Sequence, residues 1–132
     1  MRLLVCGSRE WADASVIEQH LRRLHPSVVI HGGARGADVI AGNVAIRLGV
    51  PVEIYRADWD KHGRGAGFIR NQQMLDEGRP DRAIAFWNGY SRGTKDMINR
   101  TIHAHVPLEV VAPDGYPARF AVEAATGETT CP

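Results

Sequence analysis

The sequence predicts an α/β protein: a Rossmann-like three-layer sandwich whose mainly parallel five-stranded sheet has the order 3-2-1-4-5. Three observations lead there. Short apolar, β-branched runs alternate with helical segments along the chain. Glycine-rich turns follow the first, second and fourth of those runs. No internal repeat or linker divides the 132 residues, a length that suits one domain with an ordinary core. Apolar strands separated by helices imply a parallel sheet covered on both faces.

The elements follow in order. Residues 3–6 form a short apolar run closed by Gly7-Ser8, a buried strand. Between 13 and 24, Val16, Ile17, Leu21 and Leu24 mark one face of a helix, which Pro26 ends. Residues 27–30 are a second strand running into His31-Gly32-Gly33, and 36–48 a second helix with Val39, Ile40, Val44 and Leu48 inward and Gly49 as its C-terminal cap. A third strand spans 51–55 and a long loop 57–65. Further on come a helix over 66–76, a strand over 82–87, a loop over 88–93, a helix over 94–103 and a strand over 107–111. The domain is expected to span 1–112. A Pro/Gly/Thr-rich tail, 113–132, is expected to pack on it or to be partly disordered, with one stretch of strand character at 119–122.

Composition narrows the function classes. Sixteen basic and fifteen acidic side chains give a net charge of +1, so no overall field draws the chain to nucleic acid or an anionic membrane. Cys6 and Cys131 lie at opposite ends without metal-ligand spacing. No metal site is expected, Asp58, Asp60 and His62 reading as a solvated loop, and no bound cofactor is anticipated. The N-terminal apolar run is too short for a signal peptide and no stretch approaches a membrane span. The expectation is a cytoplasmic protein in a reducing compartment, away from membranes.

Lys61 and Lys95 are the only lysines; the other fourteen basic residues are arginines, whose planar fork suits bidentate recognition of phosphate. Coding bias explains the choice equally well until position is considered. In open parallel sheets ligands bind beyond the carboxyl ends of the strands, where the strand order reverses. With the order 3-2-1-4-5 the loops at Gly7-Ser8-Arg9, Gly32-Gly33-Ala34-Arg35-Gly36 and 88–94 meet there. Arg9, Arg35 and Arg92 sit in these loops, and Arg64 and Arg70 border the third helix. Glycine lets backbone approach a ligand, and a helix N-terminus presents amides to an anion. Gly7, Ser8, Arg9, Gly32, Gly33, Arg35, Arg92, Gly93 and Thr94 are therefore candidate ligand- or phosphate-binding residues. Asp38 either favours the second helix's dipole or orients an arginine or ribose hydroxyl. His31 reads as a packed, hydrogen-bonded histidine. Trp59 reads as a pin for its loop, with base stacking as the alternative. Thr94 suits a helix cap and a phosphate donor together.

These residues also carry a resemblance. Val-Cys-Gly-Ser-Arg-Glu-Trp at 5–11, His-Gly-Gly-Ala-Arg-Gly-Ala-Asp at 31–38, Ala-Asp-Trp-Asp-Lys-His-Gly at 57–63, Ala-Gly-Phe-Ile-Arg-Asn-Gln-Gln-Met-Leu at 66–75 and Ser-Arg-Gly-Thr-Lys-Asp-Met at 91–97 resemble the YspA-type branch of the SLOG superfamily. That superfamily joins the Smf/DprA Rossmann domains to the lonely-guy phosphoribohydrolases. The resemblance runs to about Val111 and implies binding or sensing of a nucleotide or nucleotide-derived ligand, such as a nucleoside phosphate, ADP-ribose or an NAD-like molecule. It also implies a homodimer or higher homo-oligomer; Phe68, Ile69 and Met74 suit a subunit contact and ordinary sheet packing alike.

The lonely-guy enzymes cleave the N-glycosidic bond of nucleoside monophosphates with a Pro-Gly-Gly-x-Gly-Thr-x-x-Glu loop and an arginine on the preceding helix. By that resemblance Gly93 and Thr94 match the phosphate-cradling pair, Arg70 matches the helix arginine, and Asn71 beside it joins the ligand-binding set. The glutamate position holds Met97, with Asp96 one residue earlier. Arg70 and Asp96 are thus the candidate catalytic pair for the alternative of an N-glycosidase. Asp96 lies about 100° around the helix from Met97, so binding without that hydrolysis is the preferred expectation. A DNA-processing, single-strand-binding module is the second alternative; neutral charge and few aromatic residues weigh against a nucleic-acid partner.

Overall fold

A computed structural model describes residues 1–114. Its five strands are β1 (Arg2–Gly7), β2 (Val28–His31), β3 (Val52–Ile54), β4 (Arg82–Phe86) and β5 (Leu108–Val111). All pair in parallel in the order β3-β2-β1-β4-β5. This is the expected sheet. The chain steps outward from β1 to β3, then crosses back to β4 beside β1, so the order reverses between β1 and β4.

The strand sequences alternate between two apolar layers, which is why helices are needed on both faces. Leu3, Val5, Val29, Ile84 and Phe86 face one core with Ile17 and Leu21 of α1 (Ala14–Leu24) and Ala41, Val44 and Ala45 of α2 (Ala37–Arg47). Leu4, Cys6, Ile30, Ala83, Ala85 and Val110 face the other, closed by Met74 and Leu75 of α4 (Ala66–Asp76) and Met97 and Ile98 of α5 (Arg92–His103). Trp11 leans on Phe86 with ring centroids 5.4 Å apart.

Helix starts are set by short polar side chains. Asp13 caps α1 by accepting from the amides of Ser15 and Val16, and Ser91 caps α5 by accepting from that of Thr94; such caps contribute about 1 kcal/mol each. The second helix begins instead at Gly36, with φ of 82° and no side-chain cap. A Cβ there would overlap the backbone carbonyls of Ser8 and Arg9, so only glycine lets the β1 and β2 loops touch.

Three local expectations change. Val39 of α2, expected to face inward, is exposed. The segment 57–65 is not a long loop: Asp58 accepts from the Lys61 amide and starts a single turn, α3 (Trp59–His62), which passes through a 3-10 turn at Gly63–Gly65 into α4. The fifth helix starts at Arg92, two residues before the expected start, because Ser91 rather than Thr94 supplies the cap. The stretch 119–122 and most of the 113–132 tail lie outside the described residues. Among the described residues no helix is long and apolar enough to cross a membrane.

Candidate functional site

The reversal of strand order leaves a gap above β1 and β4, and Ser8 ties its rim together. The Ser8 amide donates to the Phe86 carbonyl (2.9 Å), and its carbonyl accepts from the amides of Trp11 and Ala37 (3.2 Å each). Its hydroxyl accepts from the Asn88 amide at 3.0 Å. One buried residue thus joins the loops after β1 and β4 to the start of α2. Ser8 itself stands behind the cleft wall.

In that gap lies a cleft of about 350 Å³ whose walls include Gly7, Arg9, Glu10, Asp38, Arg70, Asn71, Arg92, Gly93 and Thr94. Its floor is apolar, made by Cys6, Met74 and Met97. Gly7 serves packing, since a Cβ there would meet the Phe86 carbonyl and the Ala37 methyl at 2.5 Å. At the α5 end, Asn88 Oδ1 accepts from the amides of Tyr90 and Ser91, shaping the turn. The Ser91 and Thr94 hydroxyls are 2.9 Å apart. The Arg92 and Gly93 amides precede the first intrahelical bond and are open to an external acceptor.

A second cleft of about 540 Å³ adjoins the first and shares Arg9, Ala34 and Arg70 with it. Gly32, Gly33, Arg35, Arg56, Ala57 and Trp59 complete its wall. The sequence-predicted residues are therefore divided. Gly7, Asp38, Asn71, Arg92, Gly93 and Thr94 border the first cleft, Gly32, Gly33 and Arg35 the second, and Arg9 and Arg70 both.

The glycine loop after β2 works differently from a simple anion cradle. Three of its amides are already used: those of Gly32 and Ala34 donate to Asp38 Oδ2 at 3.1 and 3.2 Å, and that of Gly33 donates to His31 Nδ1 at 2.9 Å. What the missing side chains provide is room for guanidinium groups. A Cβ on Gly32 would overlap Arg70, whose Nη1 donates to the Gly32 carbonyl at 2.5 Å. A Cβ on Gly33, which has φ of 73°, would meet Arg56 Nη1 at 2.9 Å.

Charge follows from this packing. Burial pushes the Asp38 carboxyl up to about 6, against the lowering effect of the two loop amides, Arg70 and Arg9. Burial lowers the Arg70 guanidinium, with Asp38 opposing; a group of such high intrinsic basicity stays charged near neutral pH. His31 is pushed down to about 4 by burial and then by Arg56 and Arg70. Its ring is neutral and accepts from Gly33, with Nε2 beside Gly42. It is a packed residue, as the sequence suggested. Burial and then Asp38 raise the Cys6 thiol, so it stays protonated.

Position separates the arginines. Arg2, Arg22, Arg23, Arg47, Arg82 and Arg100 each pair with a carboxylate away from the clefts. Arg9, Arg35, Arg56 and Arg92, which line the clefts, take part in no ion pair among the described residues.

Asp96, the candidate catalytic carboxylate, is placed elsewhere. Its Oδ2 accepts from Arg100 Nε at 2.7 Å and Asn71 Nδ2 at 3.1 Å in the seam between α4 and α5, while Met97 takes the cleft-facing position. The helical rotation between adjacent residues is the reason. Arg70 and Asp96 are not brought together as an acid–base pair; Asn71 stands between them, accepting from Arg70 Nε and donating to Asp96.

Sequence reasoning passed over two charged cleft residues, Glu10 and Arg56, and read Trp59 first as a pin for its loop. Glu10 is the exposed carboxylate of the first cleft, and its place after Gly7-Ser8-Arg9 was the available signal. Arg56 enters the second cleft from the end of β3. Trp59 is 51% exposed and borders the second cleft, which does not fit a buried pin. On α4, Met74 belongs to the core whereas Phe68 and Ile69 are exposed. Among the described residues no group of three or more His, Cys, Asp or Glu side chains is placed to hold a metal ion.

Comparison with known proteins agrees with this architecture. The family model described as YspA, cpYpsA-related SLOG family matches residues 1–62, which contain Ser8, Gly36, Asp38 and Trp59. The Gene 61 protein of Mycobacterium phage D29 is 40% identical over 117 residues, covering 81% of this chain and 93% of that protein. The X-ray structure of DNA processing protein A (DprA) from Streptococcus pneumoniae matches with a TM-score of 0.70 at 16% identity, over 96% of this chain. The match covers 54% of that protein, so the chain spans about half its length, and the likeness concerns the fold. With matching sequence, strand order and Rossmann-like fold, the chain belongs to the YspA, cpYpsA-related SLOG family.

Proposed function

We propose that the cleft above β1 and β4 binds a nucleotide or nucleotide-derived ligand and releases it chemically unchanged. Family membership and the shared fold support a nucleotide-related or DNA-processing role. The observation that carries the narrower reading is the composition of the cleft. Arg9 and Arg92, in no ion pair among the described residues, stand at its rim beside the amide end of α5, above a floor of Cys6, Met74 and Met97. Guanidinium and amide donors suit a phosphate, and the thioether floor suits the flat face of a base or sugar. Its volume lies within the range of roughly 300–1,000 Å³ common to small-molecule sites.

Cleavage of a glycosidic bond needs a carboxylate to position water or the sugar. Asp96 is held by Arg100 outside the cleft, and Asp38, at the cleft wall, gives its Oδ2 to two amides that brace the glycine loop. Glu10 stays at the exposed rim. The reading is therefore of a binding or sensing domain, acting as a cytoplasmic homo-oligomer.

A thermal-shift panel of AMP, ADP, ADP-ribose, NAD and cyclic dinucleotides tests it, with each stabilising ligand recovered and analysed for released base. A concentration-dependent rise in Tm with intact ligand is expected. Free base accumulating in proportion to protein would make the domain a hydrolase instead. Absence of any shift would remove the nucleotide reading.

A further inference from the structure

The second cleft is not needed to hold one nucleotide, and its chemistry is distinct. Arg9, Arg35, Arg56 and Arg70 converge on it, no carboxylate of the described residues lines it, Asp58 and Asp60 lying in the adjoining hollow, and the indole of Trp59 forms one side. Guanidinium groups repel one another unless an anion lies among them. The fold nevertheless holds two of them in place with dedicated space: Gly32 accommodates Arg70 and Gly33 accommodates Arg56. Burial is the main reason that His31 stays neutral, and Arg56 and Arg70 add to it by acting against its protonation.

Trp59 adds a second kind of contact. It is 51% exposed, and among the described residues it makes no ring contact with another aromatic side chain. The far edge of its indole lies 3.5 Å from where a Gly67 Cβ would stand, an ordinary van der Waals distance, so the ring sits against the first turn of α4. A large apolar ring held beside arginines is the combination that stacks a base and neutralises its phosphate.

The two clefts meet at Arg9, Ala34 and Arg70. We infer that the ligand is a dinucleotide: one nucleotide unit lies in the first cleft, its base-bearing second unit stacks on Trp59 in the second, and Arg9 and Arg70 hold the phosphates that join them. This inference rests on the proposed nucleotide site and specifies its ligand class. A single nucleotide would leave Arg35, Arg56 and Trp59 without a partner. A longer single strand would also supply bases and phosphates, but the neutral net charge favours a small ligand over a tracked polymer.

The test is calorimetric titration of the full chain with AMP, the linear dinucleotide pApA, pyrophosphate-linked diadenosine diphosphate and a ten-nucleotide oligo-dA. The proteins are wild type, Trp59→Ala, Arg56→Ala and Arg92→Ala. At least one dinucleotide should bind about tenfold or more tightly than AMP, as expected from one added stacked base. Trp59→Ala and Arg56→Ala should each remove most of that advantage while leaving AMP affinity and Tm unchanged. Arg92→Ala should weaken AMP and dinucleotide alike.

Dinucleotide affinity equal to that of AMP, or unaffected by both second-cleft variants, overturns the inference while AMP binding sensitive to Arg92 preserves the underlying site. Oligo-dA binding more tightly than both dinucleotides assigns the second cleft to a strand path and overturns it as well. Failure of all four ligands overturns this inference, and the nucleotide reading falls with it when the thermal-shift panel also gives no shift.

Discussion

Asp38→Asn separates the structural use of this carboxylate from its charge. Both loop amides reach the same oxygen, Oδ2, so an asparagine oxygen in that place keeps both hydrogen bonds. What changes is titration. The carboxyl rises from an ordinary 3.8 to about 6 in the folded chain, chiefly through burial. At about 1.4 kcal/mol per tenfold in proton affinity, this corresponds to about 3 kcal/mol.

The sign follows from proton uptake. Between the unfolded and folded values the native chain binds more protons than the unfolded one, so the stabilisation is present below about pH 4 and is lost as pH rises through about 6. Urea unfolding of wild type and Asp38→Asn should therefore show a difference that shifts by about 3 kcal/mol in favour of the asparagine variant between pH 4 and pH 7. A difference that stays flat with pH would refute the reasoning. An asparagine variant losing several kcal/mol at both pH values would show that the second oxygen has an essential partner.

Other substitutions test the framework around the clefts. Gly36→Ala combines a φ of 82° with overlap of the Ser8 and Arg9 carbonyls. It should cost about 3 kcal/mol or more and lower Tm by roughly 10 °C in a thermal melt. Asp96→Asn lies outside the cleft, so calorimetry should find nucleotide affinity within about twofold of wild type, while losing the Arg100 ion pair costs about 1 kcal/mol at most for partly exposed groups. The Cys6 thiol, buried and held protonated, should resist iodoacetamide at pH 8 in the native chain, with peptide mass mapping showing modification after denaturation.

Apolar alternation made the fold readable in the sequence. Runs such as Leu3-Leu4-Val5 serve two cores at once, and glycine turns mark the strand ends, so a parallel sheet covered on both faces followed from simple rules. The turn at Trp59 was hidden because its polar residues have no helical apolar face; its signal was the Asp58 side chain three residues before Lys61. The clefts were legible as a place and less so as chemistry. Sequence position brought Arg9, Arg35 and Arg92 to one edge, but it did not show that Gly32 and Gly33 make space for Arg70 and Arg56. That depends on long side chains crossing between elements distant in sequence. Asp96 was the reverse case, since the angle from Met97 already pointed it away from the gap.

The most direct test of the central claim is calorimetric titration of wild type and Arg92→Ala with AMP, with the nucleotide recovered afterwards and resolved by chromatography. The account predicts saturable binding that weakens roughly tenfold or more in the variant, as for loss of a charge-assisted contact, and AMP recovered intact from both. Equal affinity in the two proteins, or adenine released by wild type, would contradict it.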